Sequence, residues 1–366
     1  MTDLATSPGL WALAWRRLRA DKVAMVSLAV VAAFLAMLVL SSTGLIVADW
    51  EDEVGVNYAP PAFAGAAGGL AAKSPMALDA ALPDNAFDPL ADDIKAIRAQ
   101  MGHGAPATLD MYGQVDPLAA DIAELRAAMP GGGAAKQAAR RETLPFGADK
   151  WGHDVIKKTI KGAETSIVVG LVAALLAVSL GTLFGAVSGY YGGLVDDFFN
   201  WFYSIFTSIP SILMILTVAA VLQQKGVATI VLILGLTGWT GPYRLIRAEY
   251  MKHKAREYVM AADAIGASSW RKMFTHIFPN VSHVALVQLS ILVVGFIKAE
   301  VILSFLGFGV PVGVVSWGSM LNEAQNELIL GKWWQLSAAA FAMALLVTAF
   351  SLFTDALRDA LDPKLK

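Results

Sequence analysis

This sequence predicts an all-α membrane protein with six membrane-spanning helices and a helical insertion outside the membrane. Hydrophobic residues make up 56% of the chain and charged residues only 16%, a composition typical of polytopic membrane proteins. Six apolar runs are each long enough to cross a hydrocarbon layer of roughly 30 Å, which takes about 20 helical residues. The net charge of -2 argues against a nucleic-acid partner, and the absence of cysteine excludes disulfides and thiolate metal sites.

The first predicted span is the uncharged run of residues 23–47, which follows a basic tail at residues 1–22. Arginine and lysine are enriched on the cytoplasmic side of membrane helices, so we expect this tail to be cytoplasmic. Six crossings then return the C-terminus to the cytoplasm and also place residues 244–280 there. The other predicted spans are residues 165–189, 198–222, 226–243, 281–308 and 333–354.

Four lysines at the outer end of the second predicted span oppose this orientation. They are Lys150, Lys157, Lys158 and Lys161. We keep the orientation because the charge rule applies mainly to short loops, and the segment before these lysines is long.

That long segment, residues 48–147, is predicted to be a periplasmic insertion. It contains a repeat: DPLADDIKAIRAQM at residues 88–101 and DPLAADIAELRAAM at residues 116–129. Each copy begins with an Asp cap and a Pro at the first helical position, and each carries one apolar stripe. We expect two amphipathic helices that pair with each other, pack on the membrane domain or contact a partner.

Residues 256–280 form a charged stretch between two apolar runs, and this segment is expected to contact a cytoplasmic partner. Gly266 lies where a left-handed residue would end a first short helix. Ser268 or Ser269 can cap a second helix, which Pro279 is expected to break. The i, i+3, i+4 and i+7 positions of the first helix form one face, which consists of Tyr258, Ala261, Ala262 and Ile265.

This stretch resembles the EAA coupling loop of permease subunits in bacterial ABC importers. The pattern is Glu-Ala-Ala, three residues, Gly, nine residues and Ile-x-Leu-Pro, and its alanines, glycine and proline are present here. Its Glu, Ile and Leu are replaced by Met260, His276 and Phe278. EYVMAADAIGAS followed by HIFPN is similar to the variant of the dipeptide and oligopeptide branch. The resemblance implies that the residues coupling to the ATPase are Glu257, Tyr258, Ala261, Ala262, Gly266 and Pro279.

Further segments are similar to the same family, in the family's order, from residue 144 to the C-terminus. LPFGADKWGHDV at residues 144–155 resembles the family's HPFGTDxxGRDV, and AEVILSFLGFG at residues 299–309 resembles AEAALSFLGLG. GYYGGLVDD, SWGSML and DALRDALDP are similar to other family segments and occupy residues 189–197, 316–321 and 355–363. The resemblance does not extend to residues 48–141.

These motifs identify the chain as a member of the dipeptide- and oligopeptide-type ABC permeases, as the C-type subunit of a permease pair. The resemblance implies the type I importer fold, with a five-helix core at residues 148–366 and a coupling loop at residues 244–280. The implied partners are a second permease subunit, two cytoplasmic ATPase subunits and a periplasmic substrate-binding protein. It also implies an inner-membrane location, with ATP and Mg used by the ATPases and no cofactor bound by this chain.

Four residues are candidates for the lining of the translocation pathway. Lys298 and Glu300 are the only full charges within a predicted span, and ionisable residues at membrane depth are functional candidates. We expect Glu300 to face a vestibule near the outer end, whereas Lys298 can extend to the interface. Pro210 and Trp239 lie where proline or glycine interrupts a span, which indicates either a pathway lining or close helix packing.

The sequence contains no motif for chemistry of its own. It lacks a GxxxxGK[ST] phosphate loop, HExxH, GxSxG and a cysteine nucleophile, so we predict that the chain is not an enzyme. Asp149, His153 and Asp154 are close in sequence, but such a set is weak evidence and we predict no metal site. Two alternatives stay open: the same permease role for a nickel chelate, peptide antibiotic or sugar, and a stand-alone secondary transporter.

Overall fold

The computed structural model describes residues 10–65 and 140–361, in which the regular structure is mainly helical. This confirms the all-α class. The repeat at residues 88–101 and 116–129 lies outside the described residues. The helices are α1 (Leu10–Ala20), α2 (Lys22–Ser42), α3 (Val155–Tyr191), α4 (Gly193–Thr207), α5 (Ser211–Leu222), α6 (Val227–Thr237), α7 (Thr240–Lys254), α8 (Glu257–Ala264), α9 (Ser269–Phe305), α10 (Trp317–Ile329) and α11 (Trp334–Leu361).

Four helices of the described chain are long and apolar enough to cross a membrane: α2, α3, α9 and α11. Helices α4 and α5 make a fifth span if the pair counts as one, although they are bent by 83° at residues 208–210. The predicted span of residues 226–243 is divided at Gly238 into α6, with 11 residues, and α7. The predicted count of six spans is therefore not fully confirmed.

Helix α3 begins ten residues before its predicted start. Its N-cap is Asp154, whose Oδ1 accepts hydrogen bonds from the amides of Ile156 at 2.8 Å and Lys157 at 3.4 Å. Gly147 and Gly152 precede this cap with φ of +86° and +91°, which residues other than glycine rarely adopt. The LPFGADKWGHDV motif therefore builds the turns and the cap from which α3 starts.

Helix α10 was not predicted, because residues 309–332 lie between the last two predicted spans and were expected to connect them as a loop. Ser316 and Ser319 cap its start reciprocally: Ser316 Oγ accepts from the Ser319 amide at 3.1 Å, and Ser319 Oγ accepts from the Ser316 amide at 2.9 Å. A capping box normally carries Glu or Gln at the third helical position, where this helix has Ser319. The usual sequence signal for the start of a helix is therefore absent.

Helix α3 is the centre of the molecule and packs closely against α7 through a glycine row. A Cβ atom on Gly181 would lie 2.6 Å from the carbonyl oxygen of Trp239, and one on Gly189 would lie 2.6 Å from that of Arg247. Gly185 is similarly confined. Glycines four residues apart allow two helix backbones to approach, as they do in membrane helix pairs.

The backbone segments that flank residues 66–139 are paired with each other. The Val56 amide donates to the Arg141 carbonyl at 3.0 Å, and the Arg141 amide donates to the Val54 carbonyl at 2.9 Å. Farther along, the Ala62 amide donates to the Leu144 carbonyl at 2.8 Å. Residues 54–62 and 141–144 therefore run side by side, so the two ends of the insertion leave the fold close together.

The four outer lysines that opposed the predicted orientation all face carboxylates. Lys158 Nζ lies 2.7 Å from Asp149 and 2.6 Å from Glu323, and Lys157 Nζ lies 2.5 Å from Asp49. Lys161 pairs with Glu164 at 2.8 Å, and Lys150 lies 4.0 Å from Glu323. These ion pairs offset the positive charge that the lysines bring to this end of α3.

Candidate coupling surface

Helix α8 is a two-turn helix that lies between α7 and α9 in the segment predicted to contact a partner. Its end is the predicted glycine turn, because Gly266 has φ of +79°. The Gly266 amide donates to the Asp263 carbonyl at 2.9 Å, and the Ala267 amide donates to the Ala262 carbonyl at 3.0 Å. These are the two hydrogen bonds of a Schellman motif, which satisfies carbonyl groups at the helix end.

One face of α8 is attached to the rest of the chain. Val259 and Ala262 are buried, and Val259 packs in an apolar cluster with Met273 and Ile277 of α9. Asp263 also forms an ion pair with Lys272. The predicted face of four residues is therefore divided, because Ala262 points inward while Tyr258, Ala261 and Ile265 are exposed.

The other face of α8 presents apolar side chains to the surroundings. Ile265 is 83% exposed and Met260 55%, and Tyr258 and Ala261 complete this surface, which we call the coupling patch. The hydroxyl of Tyr258 is positioned by a 2.8 Å hydrogen bond to His253 Nδ1. Large apolar side chains clustered on an exposed short helix are typical of a protein interaction site.

The predicted helix break at Pro279 is wrong, since α9 continues from Ser269 through this residue to Phe305. Residues Lys272–Ile277 form a π-helical turn, in which the Phe278 amide donates to the Met273 carbonyl. Proline breaks an α-helix because it lacks an amide hydrogen and clashes with the preceding turn. The wider turn directly before Pro279 relieves that conflict. The predicted cap is confirmed, with Ser268 Oγ accepting from the Arg271 amide at 3.4 Å.

Helix α7 connects the coupling segment to the membrane core through an ion pair that was not predicted from the sequence. Arg247 donates from Nε and Nη2 to the two carboxylate oxygens of Asp196, both at 2.6 Å. Ser188 of α3 donates to the same carboxylate. This bidentate pair joins α3, α4 and α7, and bidentate arginine contacts hold geometry firmly. Asp196 lies in the GYYGGLVDD motif, so its position was the available signal.

Glu300 does not face a vestibule in this structure, because its side chain is fully buried within the chain. Its two carboxylate oxygens accept hydrogen bonds from Ser166 of α3 at 2.6 Å and from Ser304 at 2.7 Å. Ser166 Oγ in turn accepts the amide of Trp317, the first residue of α10, at 3.2 Å. Glu300 therefore joins α3 and α9 to the start of α10.

The other three pathway candidates differ in exposure and in their contacts. Trp239 is 2% exposed and contacts the rings of Phe184 and Phe202, which accords with the packing alternative. Pro210 is exposed and caps α5 at the bend after α4. Lys298 is exposed on α9. A role of these residues in the pathway stays a prediction.

The residues once considered for a metal site have protein partners. The Asp149 carboxylate contacts Lys158 Nζ at 2.7 Å and His153 Nδ1 at 2.9 Å. Burial raises the pKa of Asp149, but the nearby ammonium of Lys158 and these hydrogen bonds outweigh it and hold the pKa below its usual value. Asp154 serves as the cap of α3.

Comparison with known families decides the class of this membrane protein. A family model described as the binding-protein-dependent transport system inner membrane component matches residues 181–366, which include the whole coupling segment. The chain belongs to this permease family. A second model, the N-terminal TM domain of oligopeptide transport permease C, matches residues 9–61 of the permease. Members of the family are non-catalytic membrane subunits of transporters, so the prediction that this permease is not an enzyme is confirmed.

Curated relatives of the permease carry names of peptide transport systems. The dipeptide transport system permease protein DppC of Bacillus subtilis is 36% identical over 237 residues, covering 63% of this permease and 74% of the relative. The oligopeptide transport system permease protein OppC of the same organism is 37% identical over 221 residues, covering 60% and 72%. The dipeptide transport system permease protein DppC of Lactococcus lactis is 29% identical over 230 residues, covering 63% and 66%.

Proposed function

We propose that this permease forms, with a second permease subunit, the translocation pathway of an ATP-driven importer for dipeptides or oligopeptides. The names of the relatives support the substrate class, since two are dipeptide and one is an oligopeptide permease. In this proposal a periplasmic binding protein delivers the substrate, and two cytoplasmic ATPase subunits consume ATP and Mg.

The coupling patch is the observation that supports an action of the ATPase subunits on α8. The patch is apolar, yet it belongs to a charged segment that lies outside the membrane spans. Glu257, Tyr258, Ala261 and Gly266 lie on or beside it, whereas Ala262 supports it from below and Pro279 lies within α9. A push on α8 would pass to α9 through Val259 and to α3 and α4 through α7 and Arg247.

Uptake of labelled dipeptides and tripeptides tests the substrate class. A strain that lacks this gene should lose uptake, and a plasmid that carries the gene should restore it. Normal peptide uptake in the deletion strain would contradict the peptide proposal and favour a nickel chelate, peptide antibiotic or sugar. Uptake of each of these, with the same rescue, would then identify the substrate.

The Ile265→Asp variant tests the coupling proposal. A charge at this 83% exposed position should prevent an apolar contact, so we expect loss of ATPase co-purification and at least a tenfold loss of ATP-driven uptake. Ile329→Asp is the matched control, because Ile329 is 84% exposed at the end of α10, on the side of the membrane that is predicted to be periplasmic. Retention of the ATPases and of uptake by Ile265→Asp would contradict the role of the patch, whereas a parent chain that transports without any co-purifying ATPase would favour a stand-alone transporter.

A further inference from the structure

Helix α4 is a separate segment between two breaks of the helical backbone. It has 15 residues, or about 22 Å at 1.5 Å per residue, and none of them is buried. At its start, Gly192 and Gly193 have φ of +69° and +54°, and no atom lies within 4 Å of a Cβ added to either. At its end, α4 bends by 83° into α5 at residues 208–210. A helix with a break at each end can turn as one body without disturbing a buried core.

The contact of α4 with the helices beneath it consists largely of aromatic rings. Those helices, α3 and α7, are packed on each other through the glycine row and the buried Tyr243. The ring of Phe199 lies 5.2 Å from that of Phe184 on α3, measured between centroids. Phe202 stacks on Trp239 at 5.3 Å. Hydrophobic attraction is not directional, so these rings hold α4 nearby without fixing its angle.

A bidentate ion pair fixes the angle of α4. Asp196, in the first turn of α4, accepts two hydrogen bonds from Arg247 and one from Ser188. Such a pair is directional, unlike the ring contacts. Arg247 belongs to α7, and the last turn of α7 carries His253, which contacts Tyr258 of the coupling patch. The ion pair therefore lies between the coupling patch and α4.

We propose that α4 turns about Gly192 and Gly193 during the transport cycle, and that Arg247 is the positioning residue that sets its angle. This inference rests on the proposed function, because the ATPase subunits supply the movement of α8. A shift of α7 moves the guanidinium of Arg247, and the Asp196 carboxylate follows with the first turn of α4.

The position of the ion pair makes α4 a lever. Asp196 lies three residues after Gly193, whereas Ile205 lies twelve residues after it. A rigid helix that turns at Gly193 therefore multiplies a displacement at Asp196 about fourfold at Ile205. Helix shifts in switching proteins are about 1–2 Å, so a shift of about 1 Å at Asp196 becomes about 4 Å at Ile205.

Distances between spin labels test the turn of α4. The full-length permease is purified with its accompanying subunits, made free of cysteine, and is measured without nucleotide and after trapping with ATP and vanadate. One label is attached to Ile205→Cys on α4 and one to Leu175→Cys on α3, at positions 44% and 58% exposed. We expect their distance to change by about 4 Å. The control pair is Leu175→Cys with Leu245→Cys on α7, whose distance should change by no more than about 1 Å.

The Arg247→Lys variant tests the positioning role. Lysine keeps the charge but cannot form the two parallel hydrogen bonds of arginine. The coupling patch is unchanged, so we expect the ATPases to co-purify while the ATP hydrolysed per imported tripeptide rises at least threefold. Asp196→Asn should act alike, and the double variant should exceed neither single variant because both break one pair. Lys252→Gln, which removes an exposed ion pair of α7, is the control and should match the parent.

The outcomes separate this inference from the proposed function. An unchanged distance between α3 and α4 in a complex that traps nucleotide would overturn the turn of α4. A parent-like ratio of ATP to tripeptide in Arg247→Lys, or an additive effect in the double variant, would overturn the positioning role. A parent complex that contains no ATPase would contradict the proposed function itself, and with it the source of the movement.

Discussion

Glu327 of α10 is a buried carboxylate for which the described chain supplies no hydrogen-bond partner. It is 2% exposed, and burial raises its pKa to about 7 from 4.5; the nearby carboxylates of Asp149 and Glu323 add to the rise, and the Lys158 ammonium opposes it only in part. Between pH 4.5 and 7 the folded chain keeps a proton that the unfolded chain has lost. The free energy of unfolding therefore falls as pH rises through this window, by up to about 3 kcal/mol.

Replacing Glu327 with Gln removes this pH-dependent cost. We expect Glu327→Gln to melt at a higher temperature than the parent at pH 8 and at the same temperature at pH 4.5, measured by thermal unfolding in detergent. Glu51→Gln, at an exposed outer position, is the control and should follow the parent at both pH values. An unchanged pH dependence in Glu327→Gln would show that another group causes it.

Glu300 offers a second test at the scale of the residue, because its two serine contacts predict a structural role. We expect Glu300→Ala to lower the free energy of unfolding by about 1–3 kcal/mol, since buried hydroxyl groups lose their acceptor. Uptake should fall in parallel, and Glu300→Gln, which keeps one acceptor oxygen, should lose less of both. A variant with lower uptake and unchanged melting temperature would favour the predicted role in the pathway.

Single residues were predictable from sequence where the backbone alone determines their role. Gly266 was recognised because a left-handed helix end favours glycine regardless of the surrounding fold. The burial of Glu300 was not predicted, because it depends on contact with Ser166, which lies 134 residues earlier in the chain. The inward position of Ala262 likewise depends on which face of α8 meets α9.

Among the helices, α3 and α7 approach each other closely along the glycine row of Gly181, Gly185 and Gly189. Gly189→Ala should destabilise the permease by about 1–3 kcal/mol, because its new methyl group meets the Arg247 carbonyl. Gly295→Ala on α9 is the matched control, since no atom lies within 4 Å of its added Cβ. Alanine there should be neutral or stabilising by up to about 1 kcal/mol. Equal melting temperatures for the two variants would contradict the close approach of α3 and α7.

Helix ends were harder to predict than helix cores. Pro279 indicated a break, but a π-helical turn directly before it lets the helix continue. This turn depends on tertiary packing, because its residues Met273 and Ile277 pack against α8. Helix α10 is amphipathic and short, and only its Ser316 cap indicated its start. The apolar centres of α2, α3, α9 and α11 were predicted correctly because hydropathy over 20 residues is a strong signal.

At the scale of the whole molecule, the orientation in the membrane is a prediction that the absence of cysteine makes testable. Single cysteines at Ile265 and Ile329 should lie on opposite sides. In right-side-out membrane vesicles, a membrane-impermeant maleimide should label Ile329→Cys at once and Ile265→Cys only after the vesicles are opened. The reverse result would contradict the cytoplasmic position of the coupling patch, and labelling of both would contradict the number of crossings between them.

The family and the class of fold were predictable because motifs and hydropathy are local properties of the chain. The number of spans was not, since α6 and α7 are separate short helices and α4 bends sharply into α5. Such interrupted helices are stable at membrane depth only when neighbours satisfy their backbone groups, which requires the assembled fold.

The pairing of residues 54–62 with residues 141–144 determines where the intervening chain leaves and rejoins the fold. Because the two ends leave the fold side by side, the chain between them closes a loop whose entropic cost rises by only about 0.6 kcal/mol for each doubling of length. The same position suits the grafting of an affinity tag or a fluorescent reporter onto the side of the permease that the charge pattern predicts to be extracytoplasmic.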